Sequence, residues 1–303
     1  MNGLTRRDFL KLGAKFSLLL GIGSSGIPKI AEALEEIATG KSPVLWLHGQ
    51  SCSGCSISFL NLENPEAEDI LINYISLLFH SVLSASSGEL SMELIDNAIK
   101  KGRYTLVLEG SIPKNMPEAC TIGGISFEEL FKKAATNASY ILAVGTCACF
   151  GGIPGAEGNP TGAVGILEFL KQKNIQTKTI LIPGCPTHPD WVMGTLIYIL
   201  KFGMPPLDEK LRPKMFFSKY VHHQCPYYSD YEEERFARNL SDKGCLFKLG
   251  CLGPISHGDC PLRLWNSGTS FCIKAHAPCI GCTSEDFSKR KNFPFYRKSE
   301  SVL

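Results

Sequence analysis

Val44-Leu45-Trp46-Leu47-His48-Gly49-Gln50-Ser51-Cys52-Ser53-Gly54-Cys55 joins a short apolar run to a glycine turn and a Cys-x-x-Cys pair. Three further runs have the same form: Tyr104 to Leu108 ends in Glu109-Gly110, Tyr140 to Val144 in Gly145, and Thr179 to Ile182 in Pro183-Gly184. Apolar runs of this length, bounded by turn residues, read as strands of a parallel sheet buried on both faces. Helical patterns lie between them. Leu71, Tyr74, Ile75, Leu78 and Phe79 follow an i, i+3, i+4, i+7, i+8 stripe. Ala163 to Leu170 and Trp191 to Leu200 are further candidates, the last with Asp190 as its cap. Such alternation predicts an open α/β sheet with helices on both faces.

The cysteines sit where that sheet matters. Cys52 and Cys55 follow the first run, Cys147 the third and Cys185 the fourth. The carboxyl ends of parallel strands share one edge, where ligands bind, so four thiols distant in sequence are expected to converge. Structural zinc usually takes two paired knuckles. Here one Cys-x-x-Cys has two isolated partners, a scatter that iron–sulfur clusters accommodate better.

Periodicity fades after Phe202. Met204-Pro205-Pro206 and Arg212-Pro213 read as a linker. Seven cysteines then fall between 225 and 282, with one short polar helix candidate near Glu232 to Leu240. A segment so poor in apolar periodicity needs bound metal for cohesion. Two ligand sets suggest themselves: a histidine with Cys225, Cys245 and Cys251, and an all-cysteine set of Cys260, Cys272, Cys279 and Cys282. Spacing does not choose between the adjacent His222 and His223. His80, His188, His257 and His276 read as structural or surface residues.

The chain has 303 residues, 44% hydrophobic and 20% charged, enough apolar material for one large or two modest cores. Thirteen cysteines are too many for packing alone, and an odd count excludes complete pairing into disulfides. Five of the 31 basic and two of the 29 acidic residues lie in the first 33, leaving 26 against 27. That balance gives no reason to expect a nucleic-acid partner. Thr5-Arg6-Arg7-Asp8-Phe9-Leu10-Lys11, a glycine-diluted apolar run and Ala31-Glu32-Ala33 resemble a twin-arginine signal peptide over 1–33. Phe287 to Leu303 is polar and basic, and no membrane anchor is expected there. Lys289, Arg290, Lys291, Arg297 and Lys298 read as a solvated tail.

Taken in order, the motifs resemble nickel–iron hydrogenase small subunits. Gly49-Gln50-Ser51-Cys52-Ser53-Gly54-Cys55-Ser56, Glu109-Gly110-Ser111-Ile112-Pro113, Gly145-Thr146-Cys147, Asn159-Pro160-Thr161-Gly162 and Pro183-Gly184-Cys185-Pro186 are similar to the family's first half. Gly244-Cys245-Leu246, Leu249-Gly250-Cys251-Leu252-Gly253-Pro254 and Pro278-Cys279-Ile280-Gly281-Cys282 are similar to its second. The resemblance implies a proximal 4Fe–4S cluster on Cys52, Cys55, Cys147 and Cys185. It implies a distal one on His222, Cys225, Cys245 and Cys251, and so selects His222. The chain would pass electrons between a nickel-bearing large subunit and an external acceptor, a c-type cytochrome or a membrane partner. It would hold no catalytic residue of its own. Many relatives carry proline where this chain has Cys272, and their medial cluster is 3Fe–4S; a fourth thiolate here implies a medial 4Fe–4S cluster on Cys260, Cys272, Cys279 and Cys282, as in the nickel–iron–selenium branch. Oxygen-tolerant relatives have extra cysteines at positions matching Gly54 and Gly152, so an ordinary proximal cluster is expected. Cys120 and Cys149 read as buried free thiols, and Glu109 as a hydrogen-bonded turn residue. Thr187 stands where proline is common.

The expected fold is α/β: a flavodoxin-like open parallel sheet over 41–203, then a smaller, mostly irregular iron–sulfur domain over 214–290 and a polar tail over 291–303. The expected location is the periplasm. The nearest alternative is a cluster-carrying member of a complex-I-type quinone oxidoreductase, though such proteins typically show adjacent cysteines at the first motif. An alternative of another class is a secreted protein stabilised by disulfides or zinc.

Overall fold

The computed structural model describes residues 42–289 apart from 64 and 65, together with isolated positions before residue 29. The Arg6-Arg7 motif, the small residues at 31–33 and the tail from 290 lie outside the described residues.

Five parallel strands form the sheet: β1 (Ser42–His48), β2 (Ile75–His80), β3 (Thr105–Glu109), β4 (Tyr140–Val144) and β5 (Thr179–Ile182). Their spatial order is β2-β1-β3-β4-β5, the flavodoxin-like arrangement. The helices are α1 (Gly54–Leu60), α2 (Ala67–Asn73), α3 (Gly88–Lys101), α4 (Phe127–Asn137), α5 (Thr146–Phe150), α6 (Ile166–Lys173) and α7 (Pro189–Phe202).

Side chains alternate across each strand, so the apolar runs feed two cores. Val44, Trp46, Val107, Leu142, Val144, Ile180 and Ile182 face α1, α2 and α7. Leu45, Leu47, Leu106, Leu108, Ile141, Ala143 and Leu181 face α3, α4, α5 and α6. Burial on both faces explains why these strands read as continuous hydrophobic stretches.

Three sequence expectations need correction. The stripe from Leu71 to Phe79 is not one helix: α2 ends at Asn73, and Ile75–His80 is β2, the strand beside β1. This strand is covered on both sides, with Ile75 and Leu77 in one core and Leu78 and Phe79 in the other. Its apolar residues therefore occupy both parities and match a helical stripe by chance. Asp190 does not cap α7; His188 does, its Nδ1 accepting from the Asp190 N–H at 3.2 Å. The polar helix candidate at 232–240 does not form; a five-residue helix at Tyr228–Glu232 ends where it was expected to begin.

The proline-rich stretch after α7 is anchored on the sheet. The Leu181 N–H donates to the Leu211 carbonyl at 2.9 Å, and Phe216 and Phe217 are buried in the first core. Beyond it a small third core gathers Val221, Ala237, Leu246, Cys251, Phe271 and Ile273. Half-buried charge ties it to α7. Arg263 pairs with Asp259 at 2.6 Å and with Asp190 of α7 at 3.1 Å, and Trp191 Nε1 donates to Asp259 at 2.7 Å.

Candidate functional site

Cys52, Cys55, Cys147 and Cys185 meet at the carboxyl edge of the sheet. The order reverses between β1 and β3, which opens a crevice there. Cys52 enters it from the β1–α1 turn, Cys55 from the first turn of α1, Cys147 from the first turn of α5 and Cys185 from the turn after β5. Gly145 shows how tight the approach is. At φ +89°, a Cβ added there would stand 2.6 Å from Cys55 Sγ, so only glycine lets the β4–α5 turn pass. At Gly152, φ +53°, a Cβ would stand 2.6 Å from Cys147 Sγ; at Gly54 it would stand 3.1 Å from Cys52 Sγ. Burial, Cys185 and Cys52 push the Cys147 thiol up to about 12. Burial and Cys52 also raise Cys185, and burial, Glu109, Cys147 and Cys185 raise Cys55. Cys147 and Cys185 thus lie within the field of Cys52, and Cys55 within that of Cys147 and Cys185.

Glu109 holds this turn in place. It is 1% exposed at the end of β3. It accepts from Trp46 Nε1 at 3.2 Å, Ser51 Oγ at 3.0 Å, the Cys55 N–H at 3.2 Å and Ser56 Oγ, with His48 Nε2 at 3.3 Å. Burial opposes its charge, but His48, Ser56 and Ser51 outweigh it and hold the carboxyl at about 2. The expectation of a hydrogen-bonded structural residue stands, with more partners than a turn requires.

Cys260, Cys272, Cys279 and Cys282 line one cavity of about 390 Å³, with Cys185 on its wall. Cys272 is the exposed member and Cys260, Cys279 and Cys282 are partly buried. Two contacts join this cavity to the first site. The Cys185 backbone N–H reaches Cys282 Sγ. The Thr146 hydroxyl donates to the Cys282 carbonyl and accepts from the Gly184 N–H at 2.9 Å. Thr146 thereby spans the residues beside two ligand sets.

His222, Cys225, Cys245 and Cys251 line a third, narrow cavity with Tyr227, Phe247 and Ile273. The His222 ring packs on Tyr228 and Tyr231, at centroid distances of 5.1 and 4.5 Å. His223 is exposed and does not line the cavity. The Leu252 N–H donates to the Cys279 carbonyl at 2.7 Å, linking the second and third sites.

The donor chemistry fits iron–sulfur clusters. All thirteen cysteines are unpaired. Backbone N–H groups meet the sulfurs: Thr187 at Cys55, Ile153 at Cys147, Tyr227 at Cys225, Phe247 at Cys245 and Gly281 at Cys279. Such bonds favour thiolate, whereas burial pushes Cys225 and Cys279 up to about 11 and Cys282 up to about 12. A bound metal centre resolves that conflict by stabilising the thiolates. Among the described residues no three His, Cys, Asp or Glu side chains converge on one point as a single ion requires. Zinc draws four donors to within about 2.0–2.3 Å of one ion; a cube of iron and sulfide holds them apart. The Thr187 hydroxyl, fully buried beside the first site, has no partner among the described residues.

The remaining candidates are structural. The buried Cys149 thiol donates to the Ala143 carbonyl at 3.3 Å, and Cys120 packs against the second core. His80 is buried against Trp46, burial and then His48 lowering it to about 4 despite the charge of Glu109. His188 Nε2 donates to the Leu264 carbonyl at 2.6 Å, and His257 Nδ1 meets the Phe217 carbonyl at 2.9 Å. Sequence reasoning assigned no role to Thr146 or Ser51, because nothing local marks hydroxyls whose partners are 136 and 58 positions away.

Residues 52–199 match the family "NADH ubiquinone oxidoreductase, 20 Kd subunit", and residues 217–296 match the family of the C-terminal part of NiFe/NiFeSe hydrogenase small subunits. The periplasmic [NiFeSe] hydrogenase small subunit of Desulfomicrobium baculatum is 38% identical, across 97% of this chain and 98% of that protein. The Hydrogenase-2 small chain of Escherichia coli K12 is 36% identical, across 96% of this chain and 79% of that one. The solved [NiFeSe] hydrogenase of Desulfovibrio vulgaris Hildenborough superposes with a TM-score of 0.79 at 41% identity, over 85% of this chain and 98% of that one. The first family model carries the name of a quinone oxidoreductase subunit, whereas the second and the relatives named above are hydrogenase small subunits. The chain belongs to the small subunits of nickel–iron and nickel–iron–selenium hydrogenases.

Proposed function

We propose that this hydrogenase small subunit is a three-cluster electron relay of a periplasmic uptake enzyme, running from the large subunit to an external acceptor. The proximal cluster is held by Cys52, Cys55, Cys147 and Cys185. The medial one is held by Cys260, Cys272, Cys279 and Cys282, and the distal one by His222, Cys225, Cys245 and Cys251. When bound, 4Fe–4S clusters supply one-electron redox chemistry. The protein's share is to hold three ligand sets in a row and exclude water between them.

One observation carries the reading: the three sets adjoin in sequence of contact. Cys185 touches Cys282, and the residue after Cys251 hydrogen-bonds Cys279. Export by the twin-arginine route is supported by Thr5-Arg6-Arg7-Asp8-Phe9-Leu10-Lys11 and by relatives named periplasmic. A relative named an uptake hydrogenase small subunit supports the direction of use. No helix of the described residues is long and apolar enough to cross a membrane. The acceptor in this reading is a c-type cytochrome or a separate membrane partner.

The test is purification of the small subunit with its large subunit from the native host. Metal analysis should find about twelve irons and twelve sulfides per small subunit, four of each per cluster, in a periplasmic fraction that reduces a dye with dihydrogen. A colourless protein, or one holding zinc, would overturn the reading.

A further inference from the structure

Thr187 is held against the proximal site from three sides. Its carbonyl accepts from Ser58 Oγ at 2.7 Å, one helical turn beyond Cys55 on α1. Its Cα lies 2.6 Å from where a Cβ on Gly184 would stand, which seats it tightly against the Cys185 turn. Its backbone N–H meets the Cys55 sulfur. The hydroxyl is the one polar group left over. It is 0% exposed and has no hydrogen-bond partner among the described residues. Native folds rarely leave a buried hydroxyl unsatisfied, and an exception points to a missing ligand. The hydroxyl is one rotatable bond from the backbone that already donates to Cys55, and an O–H turns freely to suit an acceptor.

We propose that Thr187 is a positioning residue that sets the electron affinity of the proximal cluster, its N–H and its hydroxyl both donating to sulfur at the Cys55 corner. The inference rests on the three-cluster reading given above. Hydrogen bonds to cluster sulfurs stabilise the reduced state, which carries one more negative charge, and so raise the reduction potential. A purely apolar residue at 187 removes one donor, and proline removes both.

The test is a redox titration of the assembled two-subunit enzyme, followed by electron paramagnetic resonance, for wild type, Thr187→Val, Thr187→Ser and Thr187→Pro. Valine keeps the shape and the N–H and loses only the hydroxyl. The proximal midpoint should move to more negative potential in Thr187→Val and further in Thr187→Pro, and return toward wild type in Thr187→Ser. The medial and distal midpoints should stay put. Should the valine variant fail to load its clusters, Thr187→Ala reads the same loss of the donor against the serine control. A wild-type proximal potential in Thr187→Val or Thr187→Ala, with full iron and sulfide, overturns the inference and leaves the relay intact. Wild-type enzyme lacking iron and sulfide at these cysteines overturns both.

Discussion

Glu109 and Cys272 are single side chains with opposite visibility. Glu109 lies in a recognisable motif, but its burial and its partners on β1, the following turn and α1 emerge only in three dimensions. Glu109→Ala strands Trp46 Nε1, the Cys55 N–H and two serine hydroxyls. The expected cost is on the order of 3 kcal/mol, read as a lower urea midpoint for the metal-free chain. Cys272 was legible as a ligand candidate from the run of cysteines itself, the resemblance adding only the cluster type, and it stands on the wall of the second cavity. Cys272→Pro should remove about one iron per small subunit, converting a four-iron into a three-iron centre. The readout is a new isotropic resonance in the oxidised protein. No such signal, with iron content unchanged, would count against Cys272 as a ligand.

Among elements, the strand–turn units did most to announce the fold. β1, β3, β4 and β5 each show as an apolar run closed by glycine or proline, because a strand buried twice must be apolar throughout. β2 was missed for the same reason, its doubly covered residues mimicking a helix. The β4–α5 turn makes the sharpest demand. In Gly145→Ala the new Cβ meets Cys55 Sγ and sits at a φ that alanine avoids. That variant should lose the proximal cluster while the other two sites load, about a third of the iron and sulfide. Full loading would show that the turn can yield.

At the scale of the molecule, the two halves rest on different physics. The sheet carries two large cores, whereas the segment beyond Phe217 has six buried apolar residues in its own core. Metal-free chain should therefore be cut by protease beyond about residue 218 while the sheet resists, and cluster loading should protect both. Beside the exposed Cys52, α1 presents Ile57 and Leu60 at 58% and 42% exposure. A buried partner surface suits such residues, and Ile57→Asp should cut recovery of the large subunit at least tenfold in affinity purification. The amino-acid order alone was enough for four of the sheet's five strands, the cysteines at their ends and the family, since turn residues, hydrophobic runs and thiol spacing are local properties of a chain. How Thr146 bridges two candidate ligand sets, and where the Thr187 hydroxyl is stranded, were decided by folding. Each depends on atoms that meet only after segments far apart in sequence are brought to one edge.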